Sequence, residues 1–370
     1  MKRPLFIGSE IYRNSIYGPR HPLSIPRVPT TIDLCRALGW LPGKVYLESG
    51  PASVEELARF HDRDYIATLQ QAEREQRVSP DIARRYNLGK IENPIYPAMF
   101  RRPATACGAT LLAVDLIAGG GIVYSPAGGT HHGRPDRASG FCYFNDPVLG
   151  ILRLLELGLQ RILYLDVDAH HGDGVEAAFA FDARVLTVSI HEAGRWPFTG
   201  RAEDRAGGSA RNLPVPPGCN DSEFDLLLGE AVLPLAWDFA PEAIVLQCGA
   251  DALEEDPLSR LSLSNGALWR VVAAVRDLAP RLLVLGGGGY NPWSVARCWS
   301  GVWATLNRLP IPEQLPPTAE AVLRRLSWNR SAGRNPPQHW FTTLADAPRP
   351  GPVREEVRRV ARLALEREVA

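Results

Sequence analysis

Residues 166–174 read DVDAHHGDG, nine positions that hold three Asp and two His directly after the apolar run ILYL. Charged and imidazole groups are expensive beside a buried strand unless they are paired or hold a ligand. Asp168, His170 and the distant Asp251 make a carboxylate–imidazole–carboxylate set that could hold one divalent ion. Three protein ligands leave a position open for water or substrate, the catalytic rather than the structural pattern. His131 and His132 cannot both be ligands if that position is to stay open. Adjacent imidazoles near a metal-bound water suit a general base and a proton donor or electrostatic partner. Each then needs a carboxylate to fix its tautomer, and Asp166 and Asp173 are the candidates. Tyr290 follows Gly286–Gly289, a run that permits close backbone approach. The run lacks the Lys-Ser/Thr of a phosphate loop and the spacing of a dinucleotide fingerprint. Its better use is to bring the Tyr hydroxyl to a substrate carbonyl as an oxyanion donor. Phe141 and Trp196 are candidate walls of a slot for a linear alkyl chain. Taken singly, each of these residues could be ordinary capping or core.

The elements that must position them alternate. From about residue 103, strand-like runs (GIVYSP, RILYLDVD, RVLTVSIH, EAIVLQCG, RLLVLGGGGY) are separated by helical stretches. Continuous Val/Ile/Leu strands alternating with helices indicate an α/β fold, a doubly wound, mostly parallel sheet covered on both faces. Ligands in such sheets bind beyond the carboxyl ends of the strands. The five runs lead, in turn, to His131 and His132; to Asp168, His170 and Asp173; to His191; to Asp251; and to Tyr290. These groups are therefore expected to converge on one edge. Ser53 and Glu56 resemble a capping box at a helix start. Residues 307–352 are rich in Pro and polar residues, and an amphipathic helix is expected over 353–370. Trp293, Trp299 and Trp303 are assigned to core or interface. No repeat or linker divides the chain, so one domain over 1–370 is expected, with the catalytic motifs in 125–303.

Bulk composition narrows the partners. The 370 residues carry a formal net charge of +0, with a pI of about 7.1 and 45% hydrophobic residues. That balance offers no broad attraction to nucleic acid or anionic membrane. Lys occurs only at positions 2, 44 and 90. The six Cys form no C-x-x-C pair and several lie in apolar runs, which suits a reducing compartment. The start MKRPLFIGSEIYR has too short an apolar stretch for a signal peptide, and no stretch is long enough to cross a bilayer. A cytoplasmic protein is expected.

GGTHHG, SGFCYFND, DVDAHHGDGVEAAF, VLQCGADAL and LGGGGYNPWSVARCW together resemble the zinc-dependent histone deacetylase superfamily, in order from about Ile11 to Trp303. The resemblance is strongest to the bacterial acetoin-utilisation deacetylases. It implies an arginase-like fold and hydrolysis of an N-ε-acetyl-lysine amide. Zinc would sit on Asp168, His170 and Asp251, with iron as the alternative ion in the cell. His131 and His132 would be the acid/base pair, backed by Asp166 and Asp173, and Tyr290 would polarise the acyl carbonyl. Phe141, Trp196, Gly140, Leu258 and Gly288 would contact the acyl-lysine. A structural potassium is implied at Asp166, at Asp168 and His170 through their main chain, and at Ser189 and Ile190. A second monovalent site is implied near Phe179, Asp182, Val185 and Ser209. An acetylated protein, for instance an acyl-CoA synthetase, is the implied partner.

Two departures bear on substrate choice. The family's rim acid is usually Asp, and here Glu92 precedes Asn93-Pro94. After His191 the chain reads EAGRWPFTG, so Phe198 stands where the family usually has a glycine and Trp196 where it usually has Phe. An arginase-type binuclear manganese site is disfavoured: His171 and Gly172 follow DAH, and Leu253 follows Asp251-Ala252, so two carboxylates are missing. A non-catalytic acyl-lysine-binding scaffold would have lost a ligand or Tyr290, and none is lost. An acetylpolyamine or other small amide is the alternative substrate for the same site.

Overall fold

An eight-stranded sheet runs through the computed structural model, which describes residues 3–14, 17–18 and 21–366. Its strands are β1 (Leu5–Gly8), β2 (Tyr46–Glu48), β3 (Gly121–Ser125), β4 (Ile162–Asp166), β5 (Val185–Glu192), β6 (Ala210–Val215), β7 (Ala243–Gln247) and β8 (Arg281–Leu285). Their order is β2-β1-β3-β8-β7-β4-β5-β6, and every neighbouring pair is parallel. The expected sheet was mostly parallel; the observed one is wholly so. Strands β1, β2 and β6 were not read from the sequence. The first two are only 4 and 3 residues long. The third carries Pro214, tolerable because β6 is an edge strand that pairs only with β5.

Burial on both faces explains the unbroken apolar runs. Leu163 and Leu165 join one core cluster while Ile162 and Tyr164 join another, as successive strand residues point to opposite faces. Helices Arg101–Ile117 and Asp146–Glu156 supply Val114 and Ile151 to one side. Helices Asn265–Val275 and Pro292–Leu306 supply Val272 and Trp299 to the other. Trp293, Trp299 and Trp303 are all buried core residues. Helices Asp221–Leu227 and Leu233–Phe239 are joined by a π-helical segment, Leu228–Val232. Pro234 lies two residues beyond it; it has no N–H to continue the ladder, and a π turn absorbs the missing bond.

Caps fix the loops that leave the strand ends. Ser53 and Glu56 form the expected capping box. Asn291 accepts the N–H groups of Trp293 and Ser294, which anchors Tyr290 one residue ahead of a rigid helix. The chain after 307 packs into the main core through Trp340, Leu344, Val357 and Ala361. Fully buried Arg297 holds it by bonds to the carbonyls of Thr343 (2.7 Å) and Ala345 (3.1 Å) and an ion pair with Asp346 (2.8 Å). The helix expected from Val353 is observed as Glu355–Leu365; residues 367–370 lie outside the described residues. All six cysteines are buried free thiols. Among the described residues, no helix is long and apolar enough to cross a membrane.

Candidate active site

Four adjacent central strands, β3, β8, β7 and β4, release their loops at one edge. His131 and His132 follow β3; Asp168 and His170 follow β4; Asp251 follows β7; Tyr290 follows β8. His132, His170 and Tyr290 line a cavity of 770 Å³ with Gly140, Phe141, Trp196 and Leu258. The fifth strand end departs from expectation. His191 lies inside β5, where its Nδ1 meets Ser189 Oγ and its Nε2 meets the Gly200 carbonyl, each at 2.9 Å. It does not line the cavity; β5 contributes instead through Trp196, farther along its loop.

The candidate ligand set is assembled by backbone groups as well as side chains. One donor atom from each of Asp168, His170 and Asp251 lies within 4.8 Å of the others. His170 Nδ1 is 2.9 Å from Asp251 Oδ2 and 3.3 Å from Asp168 Oδ1. Gly288 N–H donates to Asp168 Oδ2 at 2.7 Å, and Ala169 N–H to Asp251 Oδ1 at 3.1 Å. Both carboxylates are essentially inaccessible to solvent. Burial, and then the charge of Asp168, raises the pKa of Asp251. Two buried carboxylates converging on one imidazole nitrogen fit a divalent cation, which satisfies all three donors at once. A Cβ on Gly288 would stand 2.0 Å from Asp251 Oδ2, so only glycine lets this loop reach the set. A second triplet, Glu255, His339 and Asp346, is less suited to a cation. Arg349 lies 3.0 Å from its Glu255 and Arg297 lies 2.8 Å from its Asp346.

The paired histidines are held by the expected carboxylates. His131 Nδ1 is 2.7 Å from Asp166 Oδ2, and His132 Nδ1 is 2.7 Å from Asp173 Oδ1. Tyr164 also donates to Asp166 at 2.8 Å, and the Arg134 guanidinium caps Asp173. The environments separate the two rings. Burial works against a charge on His131, but Asp166 and Asp168 outweigh it and raise the pKa to about 9. Burial and the neighbouring His131 push His132 down to about 3, despite Asp173. His132, on the cavity wall, is therefore the neutral imidazole.

Aromatic groups shape the channel. The His132 and Trp196 rings are 4.6 Å apart, and Phe141 meets Tyr290 at 5.8 Å. Gly140 has φ +54°, and a Cβ there would stand 2.4 Å from Trp196 and 2.6 Å from His132. Burial raises the Tyr290 phenol well above its ordinary pKa, so the hydroxyl keeps its proton. Glu92 turns inward: its Oε1 accepts the Gly140 N–H at 2.6 Å. Leu258 stands at the mouth.

Some residues that build the site carry no sequence signal. Buried Asp256 accepts the N–H of Tyr290 at 2.6 Å and of Leu258 at 2.9 Å, joining the phenol loop to the channel wall. Burial, with the Asp251 charge beside it, raises its pKa to about 8. Glu192 pairs with Arg195 and accepts the Arg260 N–H at 2.8 Å, tying the Trp196 loop to the Leu258 loop. Asp166 and Ser189 are register partners on β4 and β5, with Ile190 next in the strand. Phe179, Asp182 and Ser209 lie in turns and Val185 begins β5; the Val185 N–H donates to the Asp182 carbonyl at 3.0 Å, and the Asp182 carboxylate is engaged by Arg184 at 2.7 Å.

A doubly wound parallel sheet with a candidate metal set at its edge, two carboxylate-backed histidines and a tyrosine beside them defines a deacetylase-type α/β protein. The histone deacetylase domain model matches residues 21–306. Histone deacetylase 9 of Arabidopsis thaliana is 38% identical over 309 residues, covering 81% of this chain and 72% of the relative. Histone deacetylase 8 of Xenopus tropicalis is 35% identical over 301 residues, covering 79% and 81%. Histone deacetylase 1 of rice (Oryza sativa subsp. japonica) is 39% identical over 293 residues, and there the chain spans only 56% of the relative's length. The solved structure of an HDAC homolog from Aquifex aeolicus superposes with a TM-score of 0.93 at 38% identity, covering 98% of this chain and 100% of the other. A structure of an HDAC homolog complexed with SAHA gives the same values. The chain belongs to the histone deacetylase family.

Proposed function

We propose that this protein hydrolyses the amide of an N-ε-acetyl-lysine side chain, releasing acetate and the free lysine amine. The observation that carries the reading is the convergence of His132, Tyr290 and the Asp168–His170–Asp251 set at the closed end of a channel walled by Phe141 and Trp196. Asp168, His170 and Asp251 would hold zinc, which supplies a Lewis acid for the acyl oxygen and makes water a better nucleophile near neutral pH. His132 has Nδ1 committed to Asp173, which leaves Nε2 to take the proton of the attacking water. The same nitrogen then returns a proton to the leaving amine. His131 has Nδ1 held by Asp166 and stands beside His132, where it backs the acid/base pair. The protonated phenol of Tyr290 donates to the developing oxyanion. Phe141 and Trp196 flank the methylenes and keep water out. A structural potassium at Asp166, Asp168, His170, Ser189 and Ile190 belongs to the same reading, supported by the adjacency of Asp166 and Ser189 in the sheet.

The mouth favours an acylated polypeptide over an acetylpolyamine. Among the described residues, the acids lining it, Glu92 and Glu192, are engaged by the Gly140 N–H and by Arg195 with the Arg260 N–H. A second ammonium group finds no open carboxylate there. Acetate release from an acetyl-lysine peptide and from an acetylpolyamine, measured side by side on zinc-reconstituted protein, tests this. Faster peptide turnover supports the reading; faster polyamine turnover replaces the substrate class; activity on neither rejects the deacetylase assignment.

A further inference from the structure

Six large apolar side chains are exposed among the described residues, and two of them line one cavity. Ile91 is 79% exposed and Phe198 is 72% exposed, and both line the cavity that ends at His132, His170 and Tyr290. They come from separate loops, and Pro22, Pro217, Trp196 and Leu258 line the same cavity. Scattered exposed apolar residues need no explanation, but two that line the candidate active-site cavity do.

Phe198 adds a second, independent observation. Its φ is +64°, in the left-handed region that glycine enters freely and an aromatic residue does not. Its N–H is tied to the Arg195 carbonyl at 2.7 Å, and the next residue, Thr199, bonds His171 at 2.8 Å. The loop is thus held in a conformation that disfavours a phenyl, and the phenyl gains almost no burial in return. Folding alone gives no reason for this ring. Non-glycine residues held in such backbone conformations cluster where a ligand docks.

We infer that Phe198 and Ile91 form an apolar clamp outside the channel, which grips a large apolar side chain beside the acyl-lysine on the substrate polypeptide. The inference rests on the acetyl-lysine reading above and specifies its substrate class. The occupant follows from continuity with the channel: a chain whose lysine enters past Phe141 and Trp196 must lay its neighbouring residues on this rim. The charges agree. Among the described residues lining the cavity, both acids, Glu92 and Glu192, are engaged internally and Arg260 is exposed, so the rim disfavours a flanking cation.

The test compares two peptides of equal length, with acetyl-lysine flanked on both sides by Leu or on both sides by Ser. The wild-type protein is expected to favour the Leu peptide by about tenfold in kcat/KM, expressed in KM. Phe198→Gly brings that ratio to within about twofold of unity, and its melting temperature stays level or rises because the backbone strain is gone. Ile91→Ser, in a different loop, also reduces the ratio. A ratio near one in the wild-type protein overturns the clamp and leaves deacetylation standing. So does a ratio that survives in both variants. Hydrolysis of neither peptide, nor of acetyl-lysine amide, overturns the deacetylase reading and the clamp with it.

Discussion

Asp256→Asn isolates how the fold aims the phenol. Asp256 is 5% exposed, and its two carboxylate oxygens accept the N–H groups of Tyr290 at 2.6 Å and Leu258 at 2.9 Å. Asparagine keeps one acceptor and turns an amide NH2 toward the other donor. One buried N–H then goes unsatisfied, at a cost of about 1–3 kcal/mol. If that loss is felt where Tyr290 meets the oxyanion, it corresponds to about 5- to 150-fold in kcat, with KM little changed. Tyr290→Phe removes the donor itself, and loss of one such donor costs about 100- to 1,000-fold. The two effects share one hydroxyl and should not multiply. In the Tyr290→Phe background, Asp256→Asn is expected to cost less than about threefold. The assay is steady-state acetate release from an acetyl-lysine peptide for all four proteins, with melting temperatures alongside. A merely structural Asp256 would lower the melting temperature equally in both backgrounds and lower kcat by the same factor in both. That multiplicative result would refute the positioning role.

Asp173→Asn should lower kcat by about 10- to 100-fold, because it removes the carboxylate that holds His132 Nδ1; steady-state rates and retained zinc content separate this from loss of metal. Asp251→Ala should abolish stoichiometric zinc, read by elemental analysis of dialysed protein, and should remove the rise in melting temperature that zinc gives the wild-type chain. Gly140→Ala sets a Cβ against Trp196 and His132 at a positive φ, so kcat/KM should fall at least about tenfold, together with a lower melting temperature. Buried Glu223 is held below its ordinary pKa: burial opposes this, but bonds from Arg354 prevail. A depressed carboxyl contributes stability above its unfolded pKa and loses it as pH falls through the folded one. The stability gap between wild type and Glu223→Gln should therefore be full at pH 7 and close on acidification below about pH 4, as followed by thermal melts. A gap independent of pH would rule out the ion pair as its source.

Strands β3, β4, β5, β7 and β8 were legible because each is a local run of β-branched and aliphatic residues, buried on both faces and bounded by turn residues. The ligand and histidine positions were legible for a related reason. In a parallel sheet the carboxyl end of every strand falls on one edge, so chemistry-bearing residues after successive strands must meet. Sequence alone therefore determined the sheet type and the edge toward which these groups converge. It also misplaced His191, since one residue's register in β5 decides whether that ring faces the cavity or the Gly200 carbonyl. It left open which histidine is neutral, which depends on burial and on the distances to Asp166, Asp168 and Asp173. Asp256, Glu192 and Arg297 carry no pattern at all. Asp256 meets Tyr290 across 34 residues, Glu192 meets Arg260 across 68, and Arg297 meets Thr343 across 46. Only the tertiary structure decided that these side chains fix the phenol, the channel walls and the C-terminal segment. A hydrogen bond depends on ångström-scale distance between groups, and chain spacing specifies that only within a helix turn or a strand pair.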